Sequence, residues 1–180
     1  MADPLPEALT AFIVLAFNIT ELASSAGLLA GIAAVLLLLL CSAAASGSET
    51  AFFSLSPSQL NEIRNSKTNS HKRIINLLET PKRLLATILI ANNLVNVGIV
   101  IISSFLVNNY LDFSHNPLLG FLFQVVIITS ILLLLGEILP KVMATRNPVK
   151  IATVMSLPLS IAQKILYPFS KLLVNSTRFI

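Results

Sequence analysis

The sequence predicts an all-α membrane protein: three transmembrane helices, a cytoplasmic helical hairpin, and C-terminal juxtamembrane amphipathic helices. Three observations carry this reading. The 180-residue chain is 55% hydrophobic and only 11% charged, with a mean hydropathy of +0.85, whereas soluble domains carry about 25% charged residues. Three apolar runs are long enough to cross about 30 Å of hydrocarbon, which takes roughly 20 helical residues. Finally, the basic residues are segregated into particular connections rather than spread along the chain.

The first 21 residues contain the apolar stretch ALTAFIVLAFNIT, too short to span and without the basic leader of a secretory signal. An extracytoplasmic or interfacial extension is expected for residues 1–21. The first span runs from about Ala26 to Ala45, with Ser24 and Ser25 as cap candidates, and its helical pattern continues to Leu55. Ser56 and Pro57 then open a short polar helix, NSKTNSH breaks it, and KRIINLLE forms another, making a hairpin over residues 56–80. The second span, about Leu84 to Val107, starts after Thr80 as N-cap and Pro81 at the first helical position, where a missing N–H costs nothing. The third, about Pro117 to Leu139, has Asn116 and Pro117 as its start signal. Together, residues 22–145 are expected to form one three-helix domain.

The stretch from 149 to 174 is apolar too, but Pro148, Pro158 and Pro168 punctuate it and Gln163 and Lys164 sit at its centre. It reads as two short amphipathic helices in a juxtamembrane belt over residues 146–180. The hairpin and the helix start just after it carry Arg64, Lys67, Lys72, Arg73, Lys82 and Arg83, and the chain after the third span carries the other six basic residues. NNYLDFSHN, between the second and third spans, and the first 21 residues have none. The positive-inside rule therefore puts the hairpin and C-terminus in the cytoplasm and the N-terminus outside.

This placement also accounts for the net charge of +4, with no aromatic-rich basic module or zinc spacing to suggest a nucleic-acid partner. The lone Cys41 excludes an intrachain disulfide, and His71 and His115, in separate polar connections, read as solvated. No Ser–His pair or paired aspartates occur within the spans, so an enzyme is not expected.

Polar groups are expensive in hydrocarbon, so their positions carry the functional information. Ser42, Ser46 and Glu49 follow spacings of four and three, which put them on one face of the first helix. Asn92 and Asn96 share a face of the second, and the third supplies Gly136 and Glu137. Ser42 and Asn92 both lie roughly 18–20 Å into their helices, at about 1.5 Å per residue, so the two clusters can meet. Pro140 cannot donate to the carbonyl of Gly136 four residues earlier and crowds it, which predicts a helix break with a freed carbonyl beside Glu137. Such an all-oxygen donor set suits Mg²⁺, Ca²⁺ or Na⁺ rather than zinc or copper, and a small helical cage favours Mg²⁺ or Na⁺. The competing explanation is structural: Ser and Asn often join transmembrane helices by hydrogen bonds, and Glu137 could pair with Lys141 near the interface.

SGSETAFFSLSPSQL, ATILIANNLVNVGI and GEILPKVMATRNP, taken together and in this order, resemble the transmembrane domain of the CNNM/CorC family of magnesium transporters, the cyclin M or hemolysin-like CorC proteins. The resemblance extends from about Leu28 to Lys171. It implies a homodimer in a bacterial inner membrane, a C-terminal CBS-pair regulatory module beyond this segment, and Mg²⁺ export, with Na⁺ as coupling ion. By motif it assigns metal-ligand roles to Ser42, Ser46, Asn92, Asn96, Gly136 and Glu137, a helix break to Pro140, and a secondary role to Glu49. The extension before about Glu21 departs from a minimal member. It leaves room for a different function, that of a membrane anchor or assembly subunit in an envelope complex such as gliding-motility machinery.

Overall fold

The computed structural model describes residues 25–176 apart from 67, 112 and 114, so the N-terminal extension lies outside the described residues. Those residues are helical throughout their regular elements, with no strand among them. Among the described residues, three helices are long and apolar enough to cross a membrane. We number the elements α1 (Ser25–Phe53), α2 (Pro57–Asn65), α3 (Asn69–Leu78), α4 (Pro81–Tyr110), α5 (Pro117–Arg146), α6 (Pro148–Ile165) and α7 (Tyr167–Ser176).

At 29 residues, α1 is about 43 Å long, well beyond the roughly 30 Å of hydrocarbon it has to cross. The surplus emerges at its C-terminal end, where Ala51 and Phe52 are buried among the short helices. This is the first of two layers: α1, α4 and α5 form the membrane layer, and α2, α3, α6 and α7 form a belt at one end of it. The belt core joins Phe52 to Ile63 of α2, Ile74 and Leu77 of α3, Leu84 and Ile88 of α4, Ala144 of α5, and Ala152 and Leu159 of α6.

The hairpin begins with a reciprocal cap. The Gln59 amide donates to Ser56 Oγ at 3.3 Å and the Ser56 amide donates to Gln59 Oε1 at 2.9 Å, with Pro57 at the first helical position. The break expected over NSKTNSH is shorter than the sequence suggested. Thr68 occupies the cap position, so Asn69, Ser70 and His71 already form the first turn of α3. His71 is not fully solvated either, since its Nδ1 is buried without a hydrogen-bond partner.

Proline opens α4 and α5 as expected, and the Asn116 side chain accepts from the Leu119 amide at 3.3 Å. Thr80 makes no side-chain cap. Its hydroxyl instead accepts from Gln163 Nε2 of α6 at 3.4 Å. The C-terminal part of the belt takes the form of two helices, the first of them 18 residues long with Pro158 inside it. Ala152, Ser156 and Leu159 share its buried face, while Val154, Leu157, Ile161 and Ile165 are exposed on the other. Arg73 Nε donates to Ser156 Oγ at 3.5 Å, and the Arg83 guanidinium lies 4.4 Å over the Tyr167 ring, fastening α6 and α7 to α3 and α4.

The third span differs most from expectation. It does not stop at Leu139 but runs on past Pro140 to Arg146. It is also the barest: 6% of its apolar window is buried, against 22% for α1 and 28% for α4, leaving most of α5 to lipid or another chain.

The Ser56 cap yields a prediction. Ser56→Ala should weaken α2 by about 1 kcal/mol, seen as faster amide hydrogen exchange at Gln59 and Leu60 with the three long helices unchanged.

Candidate metal centre

Small residues let the three membrane helices approach one another. A Cβ built on Gly136 of α5 would stand 3.0 Å from Ser42 Oγ of α1, and one on Gly47 would stand 3.5 Å from the Pro140 carbonyl oxygen. The two contacts lie about one helical turn apart, so α1 and α5 touch along a seam of glycine, serine and proline. Ser42 and Ser46 are turned inward on this seam, with 0% and 1% of their surfaces exposed. Hydroxyls so deeply buried need partners.

Those partners come from α4. Ser42 Oγ lies 2.8 Å from Asn96 Oδ1 and 3.1 Å from Asn92 Oδ1, and Ser46 Oγ donates to Asn92 Oδ1 at 3.5 Å. Asn96 Nδ2 in turn donates to Glu137 Oε1 of α5 at 3.1 Å. One connected cluster therefore links all three spans and includes Ser42, Ser46, Asn92, Asn96 and Glu137, with Gly136 in contact at Ser42. The cluster is rich in oxygen and poor in hydrogen: the single Ser42 proton faces two amide oxygens, and both serine hydroxyls address the same Asn92 oxygen.

Pro140 acts differently from the expected break. Over Leu132–Ile138 the helix is wound in the wider π form, and the Leu139 amide donates to the Leu134 carbonyl five residues back. The proline, which has no amide to give, follows where this register ends. The acceptor that would have met that missing amide, Leu135 in the π register or Gly136 in the α register, goes without it, and the helix continues. A π turn inside an α-helix is frequently found at a functional position, and here it holds both Gly136 and Glu137. The helix is widened rather than interrupted.

Glu49 has another partner. It forms an ion pair with Lys141 at 3.3 Å, both side chains being about two-fifths exposed. This pair ties α1 to α5 on the belt side of the cluster, and Lys141 is thus engaged with Glu49 while Glu137 bonds to Asn96. Asn93 is exposed.

Two features were missed in the sequence. Leu39, Ile99 and Leu132 form a small buried apolar cluster about one turn from the oxygens on each of the three helices, on the side away from the belt. Beyond it, Gln124 Nε2 donates to Ser104 Oγ, joining α5 to α4. Gln124, Asn108 and Asn109 line a recess of about 690 Å³ at that end. Gln124 was legible as the lone amide within FLFQVVII, whereas the apolar cluster resembles any other stretch of a span.

The family model for the Cyclin M transmembrane N-terminal domain matches residues 32–180. The chain belongs to the CNNM family. Its relatives include the UPF0053 inner membrane protein YfjD of Escherichia coli strain K12, 32% identical over 136 residues, 75% of this chain and 30% of the relative. A UPF0053 protein of Haemophilus influenzae is 32% identical over 135 residues, 74% of this chain and 31% of that protein. This CNNM domain thus spans about a third of the length of the curated relatives it matches. Its three apolar helices and the inner-membrane relative mark it as membrane-embedded.

The glycine seam makes a prediction that needs no ligand. Gly136→Ala drives a methyl group into buried Ser42 and should destabilise the CNNM domain by about 1–3 kcal/mol. Gly47→Ala meets ordinary contact distances and should be neutral or stabilising by up to about 1 kcal/mol. Thermal melting of the two variants in detergent checks the contrast.

Proposed function

We propose that this CNNM domain moves Mg²⁺ across the membrane, binding it at the intramembrane oxygen cluster. The observation that carries the proposal is the convergence of Ser42, Asn92, Asn96 and Glu137 from three helices on one hydrogen-bonded point. The ligand chemistry agrees: hard oxygens, one carboxylate, and no imidazole or thiolate among the cluster residues. Mg²⁺ is held typically by one or two carboxylates while it keeps several waters, in octahedral geometry with bonds of about 2.0–2.1 Å. Neighbouring oxygens of such an octahedron are about 3 Å apart, and the Ser42 hydroxyl and asparagine oxygens stand 2.8–3.1 Å apart. Glu137 would supply the charge, the serine and asparagine oxygens would replace part of the hydration shell, and Pro140 would hold one backbone acceptor free for the ion or its water.

The layers on either side of the cluster fit alternating access. Leu39, Ile99 and Leu132 would close the path away from the belt, since an apolar constriction excludes ions by staying dry. Gln124, Asn108 and Asn109 would receive a hydrated ion once that plug parts. With the belt in the cytoplasm, as the basic residues favour, the cluster would load from inside and release outward, in a bacterial inner membrane with the N-terminus outside. Na⁺ is the proposed coupling ion, and two copies pairing through the bare α5 would form the working unit. A CBS-pair regulatory module is proposed for the parent protein, whose relatives are about three times longer than the matched segment.

Glu137→Gln tests the proposal and separates it from a packing role. The glutamine can still accept from Asn96, so the melting temperature should stay close to wild type, while Mg²⁺ affinity by calorimetry falls at least tenfold and flux in proteoliposomes is lost. Unchanged affinity would remove Glu137 from the site. Leu132→Ser should raise Mg²⁺ leak several-fold in vesicles without a Na⁺ gradient; an unaltered leak would place the outer seal elsewhere.

A further inference from the structure

A groove of about 360 Å³ lies between α1, α5 and α6, on the far side of the glycine seam from the oxygen cluster. Its walls include Ala44 and Gly47 of α1, Pro140 and Met143 of α5, and Val154 of α6, with Lys150 completing the lining. The lining side chains offer no hydrogen-bonding group other than the Lys150 ammonium. Lys150 is exposed, and among the described residues it makes no ion pair. The nearby Lys141 is already engaged by Glu49.

We propose that this groove is a binding site for an anionic phospholipid, one acyl chain lying against Gly47 and Pro140 and the phosphate meeting Lys150. Three arguments select this occupant. An extended polypeptide in the groove would leave its amides and carbonyls unsatisfied, whereas an acyl chain has none to satisfy. The groove lies where the spans meet the belt, the depth at which a lipid changes from hydrocarbon to phosphate. A lysine with an apolar stem and an unpaired ammonium at that boundary is complementary to an anionic headgroup rather than a zwitterionic one. The proposal stands independently of the cation reading, but its position has a bearing on it. The bound chain would press on Gly47, next to Ser46, and on Pro140, one turn from Gly136.

The test is native mass spectrometry of the full chain, released from detergent micelles doped with phosphatidylglycerol or phosphatidylethanolamine. One phosphatidylglycerol per chain should be retained in preference to phosphatidylethanolamine. Lys150→Glu should cut that retention at least tenfold, and Val154→Trp, which fills the groove from α6, should abolish it. Ala44→Phe, from the opposite wall, repeats the filling test should Val154→Trp fail to fold. Equal retention of the two lipids, or full retention by Lys150→Glu, overturns the proposal. So does a filling variant that shifts the chain between dimer and monomer while leaving lipid retention untouched, since the groove would then belong to a protein interface.

Discussion

The contact between Gly136 and Ser42 is the constraint on which the membrane layer depends. With no side chain on Gly136, α5 comes close enough to α1 for its neighbour Glu137 to reach the asparagine of α4 that already faces Ser42. A larger residue would separate the helices, and the polar groups would then be left against hydrocarbon. The serine hydroxyls find their acceptors on α4 and the Asn96 amide finds its own on α5, so the connected set of bonds is complete only with all three helices present. Interhelical hydrogen bonds in membranes contribute modestly, about 0.6 kcal/mol on average. The cluster is therefore better understood as fixing the register of the helices than as the main source of their adhesion.

The widened turn in α5 solves a problem that the sequence only posed. Proline inside a span leaves a carbonyl without its donor, and in lipid such a group is costly. The residues before the proline are wound in the π form, and the acceptors nearest the missing amide, Leu135 and Gly136, lie at the edge of the polar seam. Apolar spans often give way at a proline; here the span extends beyond it to Arg146 and delivers Ala144 to the belt core. The exposed face of α5 and the exposed apolar side of α6 leave the domain with large apolar surfaces, as suits a chain that is membrane-embedded.

Much of this was legible beforehand for simple reasons. Span length, cap residues and the Ser–Asn–Glu spacings are local properties, and a helix translates spacing into a shared face without ambiguity. The hydrogen bonds from Ser42 to Asn96 and from Asn96 to Glu137 join residues 54 and 41 positions apart; counting matched the depths of the serine and asparagine clusters, whereas Glu137, near the end of its expected helix, reaches that level because the helix continues to Arg146. What escaped detection was relational. The preference of Lys141 for Glu49 over Glu137 depends on the rotation of α5, and the π winding that sets it has no signature in composition. The Leu39–Ile99–Leu132 cluster is made of the commonest residues of any span, so only packing distinguishes it. The boundary of α3 shifted because Thr68 took the cap position inside a run of equally plausible polar residues.

One further consequence follows from the length of α1. The same continuous helix carries Ser42 and Ser46 within the bilayer and Phe52 inside the belt core, with no proline between them. A push on the belt that tilts Phe52 is thus passed along a single helix toward the serines, with Gly47 the one residue on the way that lacks a side chain to stiffen it.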